Sequence, residues 1–195
     1  MNRPRVGVVA LQGGVREHIE LLASLDAVPV PLKQPADLTG PDGLRVDAVV
    51  LPGGESSTID RLLKLFGLGE PLTDAIRAGL PTLGTCAGLI QLAAHITDPA
   101  PGQTSFGVLD VTVRRNAFGR QIDSAEMGLD TAWGPAWVAF IRAPEVVSYG
   151  PAVTPVATLH DRIVAVTQGS ITGIAFHPEL TGETLFHRRL LESMA

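Results

Sequence analysis

The chain has 195 residues, a formal net charge of −5, 45% hydrophobic but only 5% aromatic residues, and one cysteine. That length suits a single domain, 1–195, whose core is filled by Val, Leu, Ile and Ala rather than rings. Scattered Lys and Arg on an acidic chain exclude a nucleic-acid phosphate track, and a lone cysteine excludes an intrachain disulfide and a multi-cysteine zinc site.

In chain order, residues 6–11 form a short β-branched apolar run, broken by Gly7 and turning at Gly13-Gly14. It is too short for a secretory core or a membrane span, so the sequence predicts a soluble protein of a reducing cytoplasm, with no membrane partner. Val15, Ile19, Leu22 and Leu25 follow at helical spacing. A second extended run lies around 28–32, and "ADLTGPDGL" (36–44) reads as a surface turn. "VDAVVLPGG" (46–54) reads as a buried strand ending in a glycine turn. Ser57 stands where it can cap the next helix, whose apolar face is Ile59, Leu62, Leu63 and Phe66.

Leu72, Ala75 and Ile76 predict a helix that stops at Gly79, and residues 80–84 the next strand. After Cys86 the spacing predicts a helix carrying Leu89, Leu92, Ala93 and Ile96. This alternation predicts an α/β fold with a parallel sheet covered on both faces. Beyond "DPAPGQ" (98–103), the runs 107–113, 137–142, 153–158, 163–167 and 171–176 read as strands, some antiparallel, flanking that core. A last helix is expected over 183–194.

"LGTCAGL" (83–89) fits a nucleophile elbow, with Gly84 and Gly88 two positions either side of Cys86. A strained strand-to-helix turn leaves no room for side chains there. The free N–H groups and dipole at the start of the following helix favour thiolate over thiol. A buried structural cysteine is the plain alternative, and the glycine frame argues against it.

A thiolate used for acyl transfer needs a histidine partner oriented by a third group. His18 and His187 lie in helix-like stretches and read as solvated or helix-face histidines. His95 is carried away from the elbow by its helix, and His160 falls in a turn. His177 differs, because "ITGIAFHPEL" (171–180) ends an apolar strand with His-Pro-Glu. Pro178 restricts His177 to extended angles, so His177 and Glu179 can point to the same side. The triad expected is therefore Cys86, His177 and Glu179. In "LPGGESST" (51–58), the Gly53-Gly54 pair can offer backbone N–H groups to an oxyanion alongside Ala87, although a plain turn with a helix cap fits those residues nearly as well.

The elbow "GTCAG", the late "HPE" and the early "LPGGES" together resemble the class I, triad-type glutamine amidotransferases. Within them, "ALQGGVREHI" (10–19), "PGGESST" (52–58), "RRNAFGRQIDS" (114–124) and "AFIRAPE" (139–145) are similar to the branch that serves pyridoxal 5′-phosphate synthesis. The resemblance implies a three-layer, flavodoxin-like sandwich with a mostly parallel central sheet and antiparallel edge strands. It implies Cys86 as nucleophile with His177 and Glu179, and glutamine contacts from Gly54, Glu55, Ser56, Arg115, Ile141 and Arg142. Gln12 would lie near the oxyanion loop. No metal or cofactor is implied. The partner implied is a synthase subunit that accepts ammonia and builds pyridoxal 5′-phosphate from a pentose phosphate and glyceraldehyde 3-phosphate. A cysteine peptidase on a similar sheet, and a binding subunit that has lost activity, are the competing expectations. Turnover of glutamine against peptides, and the effect of Cys86→Ala, separate the three.

Overall fold

Residues 3–118 and 124–194 are described by a computed structural model. From the N-terminus the elements are β1 (Arg5–Val9), α1 (Val15–Ser24), β2 (Val28–Leu32), α2 (Pro35–Leu38), β3 (Thr39–Gly40), β4 (Gly43–Leu44), β5 (Ala48–Leu51), α3 (Ser56–Leu65), α4 (Gly69–Arg77), β6 (Thr82–Thr85) and α5 (Ala87–Leu92). The second half runs β7 (Ala93–Thr97), β8 (Leu109–Arg114), β9 (Ser124–Thr131), β10 (Gly134–Ile141), β11 (Glu145–Tyr149), β12 (Thr154–Leu159), β13 (Arg162–Gln168) and β14 (Ile171–Ile174). A 3-10 turn, Pro178–Leu180, then leads to α6 (Leu185–Glu192).

Parallel pairing links β2, β1, β5, β6 and β14 in that order. Every residue of β5 and β6 is buried, which is why these strands are continuous apolar or small-residue runs rather than alternating ones. From β14 the sheet continues antiparallel through β13, β12, β9 and β10. β11 joins β13 to β8, and β7 lies parallel to β8. In β8 the alternation returns, with Leu109, Val111 and Val113 buried and Asp110 and Arg114 exposed. This is the expected α/β sandwich, a parallel centre extended by antiparallel strands. Phe118, Phe140, Phe176 and Phe186 pack in a series with centroids 5.8, 5.4 and 5.1 Å apart, the first two pairs tilted and the last edge-on. Phe140 and Phe176 anchor the backbone just before Ile141 and His177.

Some elements depart from the expectation. The helix after Cys86 stops at Leu92, and Ala93–Thr97 becomes a strand paired with β8. A short Ala-rich apolar run fits either period, and pairing with a neighbouring strand decides it. β9 and β11 were not foreseen; β9 forms a hairpin with β10. The stretch read as a surface turn, 36–44, holds most of the one-turn helix α2 and the small ladder of β3 with β4. The last helix is shorter than 183–194. Residues 119–123 of the "RRNAFGRQIDS" stretch lie outside the described residues.

Candidate active site

Cys86 directly follows β6 and caps α5 with φ 48° and ψ −100°, a positive-φ conformation that non-glycine residues rarely adopt. Its N–H donates to the Ile174 carbonyl at 2.7 Å, tying the turn to β14. A Cβ at Gly88 would overlap the Leu51 carbonyl, and one at Gly84 would press into the Gly88 backbone and Leu92. The two glycines therefore let α5 lie directly against β5 and β6. The resulting bend holds the thiol at the wall of a cavity, 7% exposed.

His177 is fixed by a backbone bridge to Ala139, its N–H donating to the Ala139 carbonyl at 2.8 Å. Its Nδ1 meets Glu179 Oε1 at 2.8 Å, which leaves Nε2 as the nitrogen able to face the sulfur. The geometry behind that pair differs from the expectation. His177 is extended, at φ −119°, but Glu179 is brought alongside by the 3-10 turn rather than by a strand. A Cβ on Gly53 would strike the His177 ring and crowd Cys86, so the glycine turn, imidazole and thiol converge in one small space. Burial alone would lower the basicity of His177. Hydrogen bonds with Cys86 and Glu179, together with their charges, more than reverse this and push it up to about 10. An imidazole in this position keeps its proton through neutral pH and has one to give.

The cavity has a volume of about 460 Å³. Cys86, His177 and Glu179 line it together with Gly54, Glu55, Ser56, Arg115, Ile141 and Arg142, so the expected triad and glutamine-contact residues meet at one cavity, whereas Ala87 is not among its lining residues. Gln12 lines it too, and its Oε1 accepts the Glu55 N–H at 2.8 Å. The Ile141 carbonyl lies 4.0 Å from Cys86 Sγ. Arg142 sits exposed with φ 42° just past the end of β10.

The polar wall is a network. Glu55, not Ser57, caps α3, its carboxylate accepting from the Ser57 and Thr58 N–H groups at 3.2 and 2.7 Å. Arg115 reaches the same carboxylate at 3.3 Å and donates to Gln103 Oε1 at 2.8 Å, while Gln103 Nε2 donates to Ser56 Oγ at 3.0 Å. Arg115 and Glu55 thus pair with each other in the cavity wall. Gln103 escaped the sequence reading because nothing in "DPAPGQ" distinguishes it from a loop residue.

Thr85 was also missed. Its Oγ1 accepts the Gly53 N–H at 2.9 Å, so that donor is engaged inside the protein rather than offered to the cavity. The expectation for two histidines is overturned as well. His18 and His187 are fully buried and face each other, Nδ1 to Nε2, at 2.8 Å. Their helices, α1 and α6, each turn one polar position inward, which the helical period does not reveal because the partner lies 169 positions away. His95 is exposed, on β7 rather than on a helix, and His160 is exposed in a turn; neither lines the cavity.

Residues 8–195 match the SNO glutamine amidotransferase family. The chain is 52% identical to the pyridoxal 5′-phosphate synthase subunit PdxT of Acidothermus cellulolyticus, over 95% of this chain and 91% of that protein. It is 50% identical to the subunit of the same name from Corynebacterium diphtheriae, over 97% and 99%. A crystal structure described as a glutamine amidotransferase superposes with a TM-score of 0.87 at 40% identity, covering 97% of this chain and 98% of that one. The PurLQS structure from Thermotoga maritima shares the fold, with a TM-score of 0.67 at 16% identity.

Proposed function

The chain belongs to the SNO glutamine amidotransferase family, and on that premise we propose that it hydrolyses L-glutamine to L-glutamate and ammonia through Cys86, His177 and Glu179. The ammonia passes to a separate synthase subunit that makes pyridoxal 5′-phosphate from a pentose phosphate and glyceraldehyde 3-phosphate. Proteins about half identical to it across nearly their full length carry the name of that synthase's PdxT subunit. What carries the reading is one cavity wall that joins a strained cysteine, a proton-rich histidine held by a buried carboxylate, and a paired arginine.

In this mechanism the Cys86 thiolate attacks the side-chain amide carbon of glutamine. The oxygen of the tetrahedral intermediate is held by the Ala87 N–H and by N–H groups of the Gly53-Gly54 turn. His177 gives its proton to the departing ammonia, and a glutamyl thioester remains on Cys86. His177, now neutral, takes a proton from water, which attacks the thioester and releases glutamate. Glu179 stays ionised and orients the ring. Glutamine carries a carboxylate and an ammonium, and Gly54, Glu55, Ser56, Arg115, Ile141 and Arg142 hold those ends.

The engaged Gly53 N–H gives this mechanism a gate. The turn must rotate away from Thr85 before Gly53 can serve the oxyanion, and docking of the synthase drives that rotation. The test is a glutaminase assay of the parent and Cys86→Ala, each with and without the synthase subunit. Weak turnover alone, strong turnover in the complex and none for Cys86→Ala are expected. An active Cys86→Ala would remove the nucleophile assignment, and equal parent rates in both conditions would remove the gate.

A further inference from the structure

The Glu179 side chain is fully enclosed. A buried carboxylate needs donors on its oxygens, yet His177 supplies only one, and Oε2 has no partner among the described residues. Among the described residues the other nitrogen near it is His18 Nε2, 3.5 Å from Oε1, a distance at the outer edge of a hydrogen bond. His18 lies on α1 with its Nε2 also 3.2 Å from Thr85 Oγ1, and its Nδ1 against His187 Nε2. Neither histidine belongs to the mechanism above.

Both rings are held neutral. Burial, then the neighbouring His187 and His177, keep His18 well below the ordinary histidine range, and burial pushes His187 down to about 4. A neutral imidazole has one N–H, so its placement decides what Glu179 meets. A proton on His18 Nδ1 would turn the lone pair of Nε2 toward the carboxylate and force an N–H onto His187 Nδ1, which has no partner among the described residues. A proton on His18 Nε2 lies instead between Glu179 Oε1 and Thr85 Oγ1. His187 then donates from Nε2 to His18 Nδ1 and leaves a lone pair unmatched at its own Nδ1, while Thr85, whose Oγ1 already accepts the Gly53 N–H, has no other acceptor for its hydroxyl proton among the described residues. The Thr85 hydroxyl can rotate whereas a ring N–H is fixed, orphaned buried N–H groups are rare, and a lone pair on Nε2 would face a buried carboxylate, so Glu179 and the unmatched His187 nitrogen select the same arrangement.

We propose that His18, its tautomer set by His187, is a positioning residue that donates from Nε2 to Glu179 and so holds the Glu179–His177 pair in line with Cys86. This rests on the glutaminase reading and deepens it. The reactive imidazole is thereby braced from α1 and α6 as well as from its own turn, through a line of polar contacts running from His187 to His177.

The test combines spectroscopy on the parent with kinetics of the complex. Nitrogen NMR of histidine-labelled protein is expected to show His18 protonated at Nε2 and bare at Nδ1. With saturating synthase subunit, His18→Leu is expected to lower kcat about 10- to 100-fold while leaving the KM for glutamine within about twofold. His18→Gln keeps an amide donor near the Nε2 position and is expected to recover most of kcat. His187→Phe preserves bulk but releases the tautomer, and its kcat should fall between the two. A His18 protonated at Nδ1, a folded His18→Leu with parental kcat, or a His18→Gln as impaired as His18→Leu would each overturn the proposal. Should His18→Leu fail to fold, the parental spectrum and His18→Gln still decide. A parent inert toward glutamine in the complex would sink the glutaminase reading instead, and the NMR result would judge His18 by itself.

Discussion

The carboxylate of Glu55 caps α3 through Ser57 and Thr58 and touches Arg115 with the oxygen that also receives the Ser57 N–H. Partial burial would raise its protonation point, but the hydrogen bonds from Ser57 and Thr58 outweigh this and hold it at about 2. A carboxyl depressed on folding contributes stability above its unfolded value, and that contribution disappears as pH falls toward about 2. The cap therefore persists in acid that neutralises ordinary carboxylates. Glu55→Ala is expected to cost about 1 kcal/mol, the usual value of an N-cap, measured as a lower denaturant midpoint. It should also raise the KM for glutamine, because Arg115 loses one of its two anchors, whereas Glu55→Gln keeps an oxygen for the Thr58 N–H and should retain most of the stability. A Glu55→Ala variant with parental KM would show that Gln103 alone aligns Arg115.

β8, β11 and β13 are joined by another carboxylate. Glu145, at the start of β11, accepts from Arg114 at 3.0 Å and pairs with Arg162 at 3.4 Å, and Arg162 lies over the Phe118 ring at 5.0 Å. Arg114 ends β8 immediately before Arg115, so this joint sets where β8 hands the chain to the cavity wall. Glu145→Ala is expected to destabilise by about 1–3 kcal/mol, the range for losing a nearly buried charged partner, and to raise KM through Arg115 with a smaller effect on kcat. An unchanged KM with lowered stability would confine the joint to folding. The same region marks how far the sequence could be read. β5 and β6 were legible because burial on both faces demands unbroken apolar runs, and Cys86 because its glycine frame is local. His177 and Glu179 were legible as chain neighbours, although the 3-10 turn that unites them was not. β7 was hidden because "AAHIT" (93–97) suits a helix as well as a strand until β8 lies beside it. Gln103, Thr85 and His18 were hidden because each acts through a partner far along the chain, where no periodicity points.

At the scale of the whole molecule, the buried histidines give the fold a pH optimum with two different causes. His187, pushed down to about 4 by burial, and His18, pushed the same way, are neutral when folded but free to protonate when unfolded. Their contribution is complete above the unfolded value of 6.5 and is lost as pH falls from there toward 4. His177, pushed up to about 10, has the opposite sign: its contribution is complete below 6.5 and is lost as pH rises toward 10. Stability should therefore peak near neutrality, with each histidine adding a slope of up to about 1.4 kcal/mol per pH unit on its own side. Denaturant midpoints at about pH 5, 7 and 9 for the parent and two variants separate the causes. His187→Phe should flatten the acid side, because one titrating ring is gone and the other loses the neighbour whose protonation would oppose its own. Cys86→Ala should flatten the alkaline side, because the hydrogen bond and charge of the Cys86 sulfur help hold the proton on His177. If His187→Phe kept the parental acid slope, carboxylates rather than buried imidazoles would govern acid unfolding. If Cys86→Ala kept the alkaline slope, the imidazole proton would be held by Glu179 alone.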